Sequence, residues 1–375
     1  MLASLGGIIF AVTLVLVQVG IYFGFTRSAS LLIEESRAQL WISAKDMLYL
    51  EVTLPIPYAW LDKARAVPGV AQAEPLLIRT IIWKNQAGAL DYGRVVGFDP
   101  NGSLLQLDAH PSGDLRAIAE PNAFAADAGQ LHDMGVAGIG ARGTIRTRTA
   151  HLVALVHNTQ PMISPTFFYT SLRNAVAFSP AMIDEFVRDP FVASYDPNSP
   201  LQYIMVGLKP GADVERVRRD LERALPDGRA WTRAEMMGIT QRYWVNRTNV
   251  GFILALAALL GIFVGMIVVS QILYTSVNEH LREYGTLKAL GIPDRRLYGS
   301  IVWQAVALAV LGYVPGLGLS LVIAAFARSE RGVILSITPP VALAVLLLAI
   351  LMCIAAGLVA VRRATSVDPA IVFKA

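Results

Sequence analysis

A single cysteine, Cys353, stands among 375 residues, so the chain can form neither an intrachain disulfide nor a thiolate metal cluster. Charge is also scarce. Asp, Glu, Lys and Arg make up 16% of the chain, against about 25% in ordinary soluble domains. No Gly-x-x-x-x-Gly-Lys-Ser/Thr loop occurs, which excludes ATP binding through that motif. His110, His132, His151 and His157 show no His-Glu-x-x-His spacing and accompany no nucleophile motif. They read as structural histidines, and no catalytic constellation is present. The net charge is +4 and the pI about 9.2, but the arginines are scattered without a basic run. Nucleic acid is therefore not an expected partner.

What the chain has instead is apolar length. Hydrophobic residues make up 54% and mean hydropathy is +0.51. Residues 1–26, 248–278, 297–327 and 332–361 contain no Asp, Glu, Lys or Arg. A bilayer core about 30 Å thick needs roughly 20 helical residues, so each run is long enough to cross. The expected order is a first span (1–26), a large domain (27–247), a second span (248–278) and a cytoplasmic helix and loop (279–296). A third span (297–327), a short loop (328–331), a fourth span (332–361) and a cytoplasmic tail (362–375) complete it. The first run has no basic segment before it and exceeds the apolar stretch of a signal peptide, so it reads as a retained anchor.

Short loops orient such a protein through Lys and Arg. Arg282, Lys288, Arg295 and Arg296 lie in 279–296, and Arg362, Arg363 and Lys374 lie in the tail. The loop between spans three and four offers only Arg328 and Arg331. The asymmetry places 279–296 and the C-terminus in the cytoplasm and 27–247 outside. A large exported domain without cysteine fits a bacterium.

The domain reads as mixed helix and strand. Residues 48–54 alternate like a strand, 57–66 read as a helix ended by Val67-Pro68-Gly69, and 70–83 are β-prone. Asn85-Gln86-Ala87-Gly88 reads as a turn before a strand over 91–98. A similar unit returns late: a strand over 202–208, a Pro210-Gly211 turn, a helix over 213–225, a Pro226-Asp227-Gly228 break and an extended stretch over 229–232. The echo predicts a β-α-β plaited core, two subdomains and an insert of about 100–200. Gly135 to Gly143 reads as loop. Phe167, Phe168, Tyr169, Tyr195 and Tyr203 read either as core or as an apolar contact surface.

Gly20-xxx-Gly24, Gly261-xxx-Gly265 and Gly312-xxx-Gly316 are small-residue spacings that let helices approach closely in lipid. Pro315 predicts a kink. Gln18, Gln271 and Gln304 are the notable polar residues of the spans. No span carries Asp, Glu, Lys or Arg, which argues against ion-coupled transport.

Span two reads on as a helix beyond the membrane. Leu281, Tyr284, Leu287 and Lys288 fall near one face, Glu279 and Glu283 mainly on the other, and Gly291 and Pro293 form the stop. The wording from Gln271-Ile-Leu-Tyr-Thr through Glu279-His-Leu-Arg-Glu-Tyr-Gly-Thr-Leu-Lys-Ala-Leu-Gly291 resembles the coupling helix of FtsX-like ABC permeases. These have the MacB fold, also called type VII: an α+β membrane protein with four transmembrane helices and a large periplasmic domain after the first. The DevC branch is the most similar in wording, with Val96-Gly97-Phe98-Asp99-Pro100, Tyr243-Trp244 and the tail Arg362-Arg363…Asp-Pro-Ala as further points of likeness. Family members carry a basic amphipathic segment before span one, whereas this sequence opens on Met1-Leu-Ala-Ser-Leu-Gly.

The resemblance implies a non-catalytic inner-membrane subunit that works as a homodimer. ATP and Mg would be bound by a separate ABC ATPase and no cofactor by this chain. Glu279, Leu281, Arg282, Glu283, Tyr284, Gly285, Leu287 and Lys288 would couple it to that ATPase, and Gly20, Gly24, Gly261 and Gly265 would pack helices. Mechanotransmission to the periplasmic domain would drive export of an amphiphilic cargo such as glycolipid, through a membrane-fusion adaptor and a TolC-like outer-membrane tunnel. A lipoprotein-extracting permease and an FtsX-like, non-transporting regulator of a wall hydrolase are the alternatives.

Overall fold

The computed structural model describes residues 2–108, 110–179, 200–279, 283, 286, 293–331 and 333–365. It divides into two units: one comprises Met1–Phe25 with Asn249–Ala375, the other Thr26–Thr248. The chain is α+β. Among the described residues, four helices are long and apolar enough to cross a membrane, and the mixed α/β unit lies in sequence between the first and second.

The apolar helices are Leu2–Ser28, Asn249–Glu279, Asp294–Arg331 and Pro339–Thr365. The third runs on through Pro315. Residues 333–338 are not helical, although they continue an uncharged run. The fourth helix begins at Pro339, followed by Pro340. Proline suits a first helical turn because its missing N–H has no partner there anyway. Ile8, Val12, Val15, Leu16, Ala305, Ala309, Val345, Ala349 and Cys353 form the buried centre of this unit.

The second unit is built on one large sheet. Strands β1 (Leu40–Ala44), β3 (Val70–Asn85), β11 (Tyr203–Leu208) and β12 (Gly228–Thr232) lie in the order β12-β1-β11-β3, all neighbours antiparallel. Helix Trp60–Arg65 connects β1 to β3, and helix Val214–Ala224 connects β11 to β12. The result is a β-α-β plait made from both ends of the unit. Both helices cover one face of the plait: Leu61, Val217 and Leu221 join Leu40, Ile42, Ile204 and Val206 in one core. Trp41, Tyr203, Met205, Trp231 and Met236 fill the opposite face.

Strand β3 is 16 residues long and carries the sheet beyond the plait. Its far half pairs with β4 (Leu90–Phe98), and β9 (Thr166–Ser171), β6 (Ala123–Asp127) and β8 (Arg148–Val156) follow in that order. Trp83, Phe124 and Phe168 meet in the core of this half, with ring centroids 4.9–5.5 Å apart.

The 48–54 reading is corrected. The strand of this region is Leu40–Ala44, and 48–54 is a tight turn in which Val52 N–H donates to the Tyr49 carbonyl at 2.9 Å. Strand β1 is buried at every position, so it shows no alternation to read. The 57–66 helix is the shorter Trp60–Arg65.

Candidate functional site

The glycine spacings converge on the first apolar helix. A Cβ on Gly261 would lie 2.7 Å from Gln18 Oε1. One on Gly265 would lie 3.3 Å from Val15 and 3.4 Å from Met352. On the third helix, a Cβ on Gly312 would lie 2.5 Å from Ile8, and one on Gly316 2.9 Å from Val12. Thr13 Oγ1 donates to its own helix at Ile9 O, 2.8 Å away, and lies 3.3 Å from the Gly316 carbonyl. Half of the first helix's apolar window is buried, against 17–28% for the other three. The second and third helices thus approach the same central helix through their small residues.

Gly20 and Gly24 do something else. They face the non-helical 333–338 segment rather than another helix. The Gly20 carbonyl accepts a 2.9 Å hydrogen bond from Ser336 N–H, and a Cβ on Gly24 would overlap the Ile334 carbonyl. Helix propensity and spacing alone do not reveal this role, because a small-residue stripe accepts an extended backbone as readily as a helix. Gln271 and Gln304 are exposed on their helices, whereas Gln18 Oε1 is buried without a hydrogen-bond donor among the described residues.

Of the expected coupling residues, Glu279 closes the helix Asn249–Glu279 and is exposed, and Glu283 is helical and exposed. Leu281, Arg282, Tyr284, Gly285, Leu287 and Lys288 lie outside the described residues.

In the second unit, Phe167, Phe168, Tyr169 and Tyr203 are core residues, each at most 1% exposed. Tyr195 lies outside the described residues. Tyr169 and Tyr203 hydroxyls donate to the carbonyls of Thr159 and Leu50, at 3.0 and 2.8 Å. Among the described residues no group of His, Cys, Asp and Glu is arranged to hold a metal. His157 Nδ1 lies 2.9 Å from Asp108. Burial alone would raise the Asp108 pKa, but the His110 and His157 backbone N–H groups and the His157 ring hold it below the usual carboxylate range. Glu74 accepts from the N–H groups of Ser103 and Leu104, and burial raises its pKa. These groups fasten loops.

An open cleft of about 570 Å³ lies at the end of the β3–β4 pair, lined among others by Trp83, Asp91, Tyr92, Asp133, Met134 and Thr166. Sequence reading missed it, because its walls come from three separated segments.

Residues 255–369 match the family model of the FtsX-like permease C-terminal domain. This part of the chain is thus similar to the C-terminal domain of FtsX-like permeases. Curated relatives are the uncharacterized ABC transporter permeases Mb2592 of Mycobacterium bovis and Rv2563 of Mycobacterium tuberculosis. Each is 32% identical over 154 residues, covering 41% of this chain and 42% of the relative. The permease Rv0072 of Mycobacterium tuberculosis is 29% identical over 120 residues, covering 32% of this chain and 33% of its own length. The aligned part thus spans less than half of these relatives. Among solved structures, the periplasmic region of MacB from Actinobacillus actinomycetemcomitans has a TM-score of 0.37 at 9% identity, covering 54% of this chain and 92% of that one. The extracellular domain of YknZ, a noncanonic ABC-type transporter from Gram-positive bacteria, scores 0.35 at 8% identity, covering 52% and 99%.

Proposed function

We propose that this chain is the permease subunit of an ABC exporter in a bacterial inner membrane. The observation that carries the reading is the match of residues 255–369 to the family model of the FtsX-like permease C-terminal domain. The chain works as a homodimer with separate ATPase subunits that bind ATP and Mg. Residues 279–291 receive the ATPase motion, and 27–247 stand in the periplasm. The packing of the first helix supports a mechanical role. Both Gly261-xxx-Gly265 and Gly312-xxx-Gly316 press on it, and its own chain continues directly into the second unit. A displacement of the second helix is handed to the first across contacts that leave little slack. The cargo is amphiphilic, glycolipid being the leading class, and leaves through a membrane-fusion adaptor and a TolC-like tunnel. The periplasmic unit, rather than the spans, holds the cargo or adaptor surface.

Affinity purification of the chain from its native membrane tests the reading. An ATPase carrying a P-loop is expected to co-purify, together with an adaptor. Recovery without any nucleotide-binding protein would contradict it.

A further inference from the structure

Residues 47–57 carry an apolar rim that the described residues leave open. Leu48, Val52 and Leu54 are 43, 44 and 56% exposed. Hydrogen bonds tie the turn that presents them. Leu48 N–H donates to the Val52 carbonyl at 3.0 Å, and Val52 N–H donates to the Tyr49 carbonyl at 2.9 Å. Between them, Leu50 is 2% exposed, its N–H donates to Thr240 Oγ1 at 3.3 Å, and its carbonyl accepts from the Tyr203 hydroxyl at 2.8 Å.

The rim carries no free charge. Glu51 is the only charged residue between 47 and 57. Its carboxylate is 2.8 Å from the Arg94 guanidinium, with the Glu51 side chain 6% exposed. A solvent-facing turn has no need to hide its one charge, but a turn that enters lipid does.

The position of the rim along the chain says what covers it. Tyr49 stacks on Tyr243 with ring centroids 4.1 Å apart, and Trp244 stands edge-on to Tyr49 at 5.7 Å. Tyr49 and Val52 are paired across the turn, so Val52 stands beside this aromatic group. Trp244 precedes Asn249, the first residue of an apolar helix, by five positions. Even fully extended, that chain reaches no more than about 18 Å. The aromatic group is thereby tethered close to the plane where the hydrocarbon begins. Tyr and Trp favour that plane, and the exposed Arg242 and Arg247 suit anionic headgroups.

We propose that Leu48, Val52 and Leu54, with Tyr243 and Trp244, form an interfacial foot by which the second unit rests on the lipid surface. The foot touches the headgroup and upper acyl region of a bilayer containing anionic phospholipid.

Nitroxide labels at Leu48→Cys, Val52→Cys and Leu54→Cys in a Cys353→Ser background test this. The full chain sits in nanodiscs of phosphatidylcholine and phosphatidylglycerol, and Leu90→Cys is the control. Leu90 is 68% exposed in the same unit and far along the sheet. Collisions with oxygen should exceed those with a water-soluble nickel chelate at 52 and 54, and the order should reverse at 90. Equal profiles at 52, 54 and 90 would overturn the proposal. So would exclusion of both reagents with spin–spin broadening, which would mean that a second copy covers the rim. Hydroxyl-radical footprinting of the unlabelled chain guards against label-induced damage: Leu54, similar to Leu90 in residue type and exposure, should be modified markedly less than Leu90. Equal modification would count against the foot.

Discussion

Gly24 and Ile334 meet without a side chain between them. The first apolar helix bares its backbone there, the carbonyl of Ile334 fills the place of a Cβ, and Ser336 N–H donates to Gly20 one turn earlier. The 333–338 segment is not helical, and this docking gives the Ser336 N–H its acceptor. In lipid an unpartnered backbone group costs several kcal/mol, which makes the contact a structural requirement of that bend.

Gly24→Val should therefore destabilise the apolar unit by about 1–3 kcal/mol, the range for overpacked cores. Gly6, which among the described residues has nothing within 4 Å of a Cβ, should accept Ala with little change. Thermal unfolding of the two variants in the same nanodiscs measures the difference. Equal stability would mean that the Gly24 contact carries no weight.

Gly261 and Gln18 should show coupling. Gly261→Ala pushes a methyl into the Gln18 amide, whereas Gln18→Ser vacates that space. The double variant should be more stable than the sum of the single losses predicts, with a coupling of about 0.5–3 kcal/mol. A double-mutant cycle on unfolding free energy reads it. Strict additivity would place the two residues apart.

Glu235 predicts a pH effect at the start of helix Arg233–Arg247. Its carboxylate accepts from Thr232 N–H at 2.9 Å, Thr232 Oγ1 accepts from Glu235 N–H at 3.2 Å, and Arg218 lies 3.1 Å away. Burial alone would raise the Glu235 pKa, but these partners hold it below the usual carboxylate range. The folded state thus prefers the ion. The stabilisation is present above the unfolded pKa and is lost as pH falls through the lower folded value. Amide exchange at the helix N-terminus should accelerate, beyond its intrinsic pH dependence, as pH drops through that window. Glu235→Gln keeps an acceptor for the capping box but should abolish this extra dependence. If both proteins respond alike, the carboxylate is not the cause.

Much of the architecture was legible because its signals are local. Four uncharged runs mark the apolar helices, and Val67-Pro68-Gly69 and Pro226-Asp227-Gly228 mark where each plait helix gives way to a strand. Asp213 caps helix Val214–Ala224 by accepting from the N–H groups of Glu215 and Arg216. The interior of the unit was less legible. Strand β6, Ala-Phe-Ala-Ala-Asp over Ala123–Asp127, is buried throughout and has neither alternation nor strong β-propensity. It is a strand because β8 and β9 pair with it. The roles of Gly20 and Gly24 depend on a segment more than 300 residues away, and no spacing rule reports such a partner.

The orientation rests on the Lys and Arg of the short loops. Pro100→Cys and Gly285→Cys in a Cys353→Ser background give opposite expectations in intact cells whose outer membrane has been made permeable. An impermeant thiol reagent should label position 100 directly and position 285 only after lysis. Labelling at 285 before lysis would reverse the topology.

The most direct test of the proposed function is recovery of the ATPase on a permease altered at the proposed coupling helix. Leu287→Asp removes an apolar side chain worth roughly 1.5–3 kcal/mol if buried and adds an unpaired charge. Affinity for the ATPase should fall by at least about tenfold, since 1.4 kcal/mol is one factor of ten. Gly285→Pro should do comparable damage by breaking the helix. Both changes lie outside the uncharged runs, so the amount of permease in the membrane should not change. Loss of ATPase from the purified complex with both variants is the predicted result. Unchanged ATPase recovery with both would contradict the account at its centre.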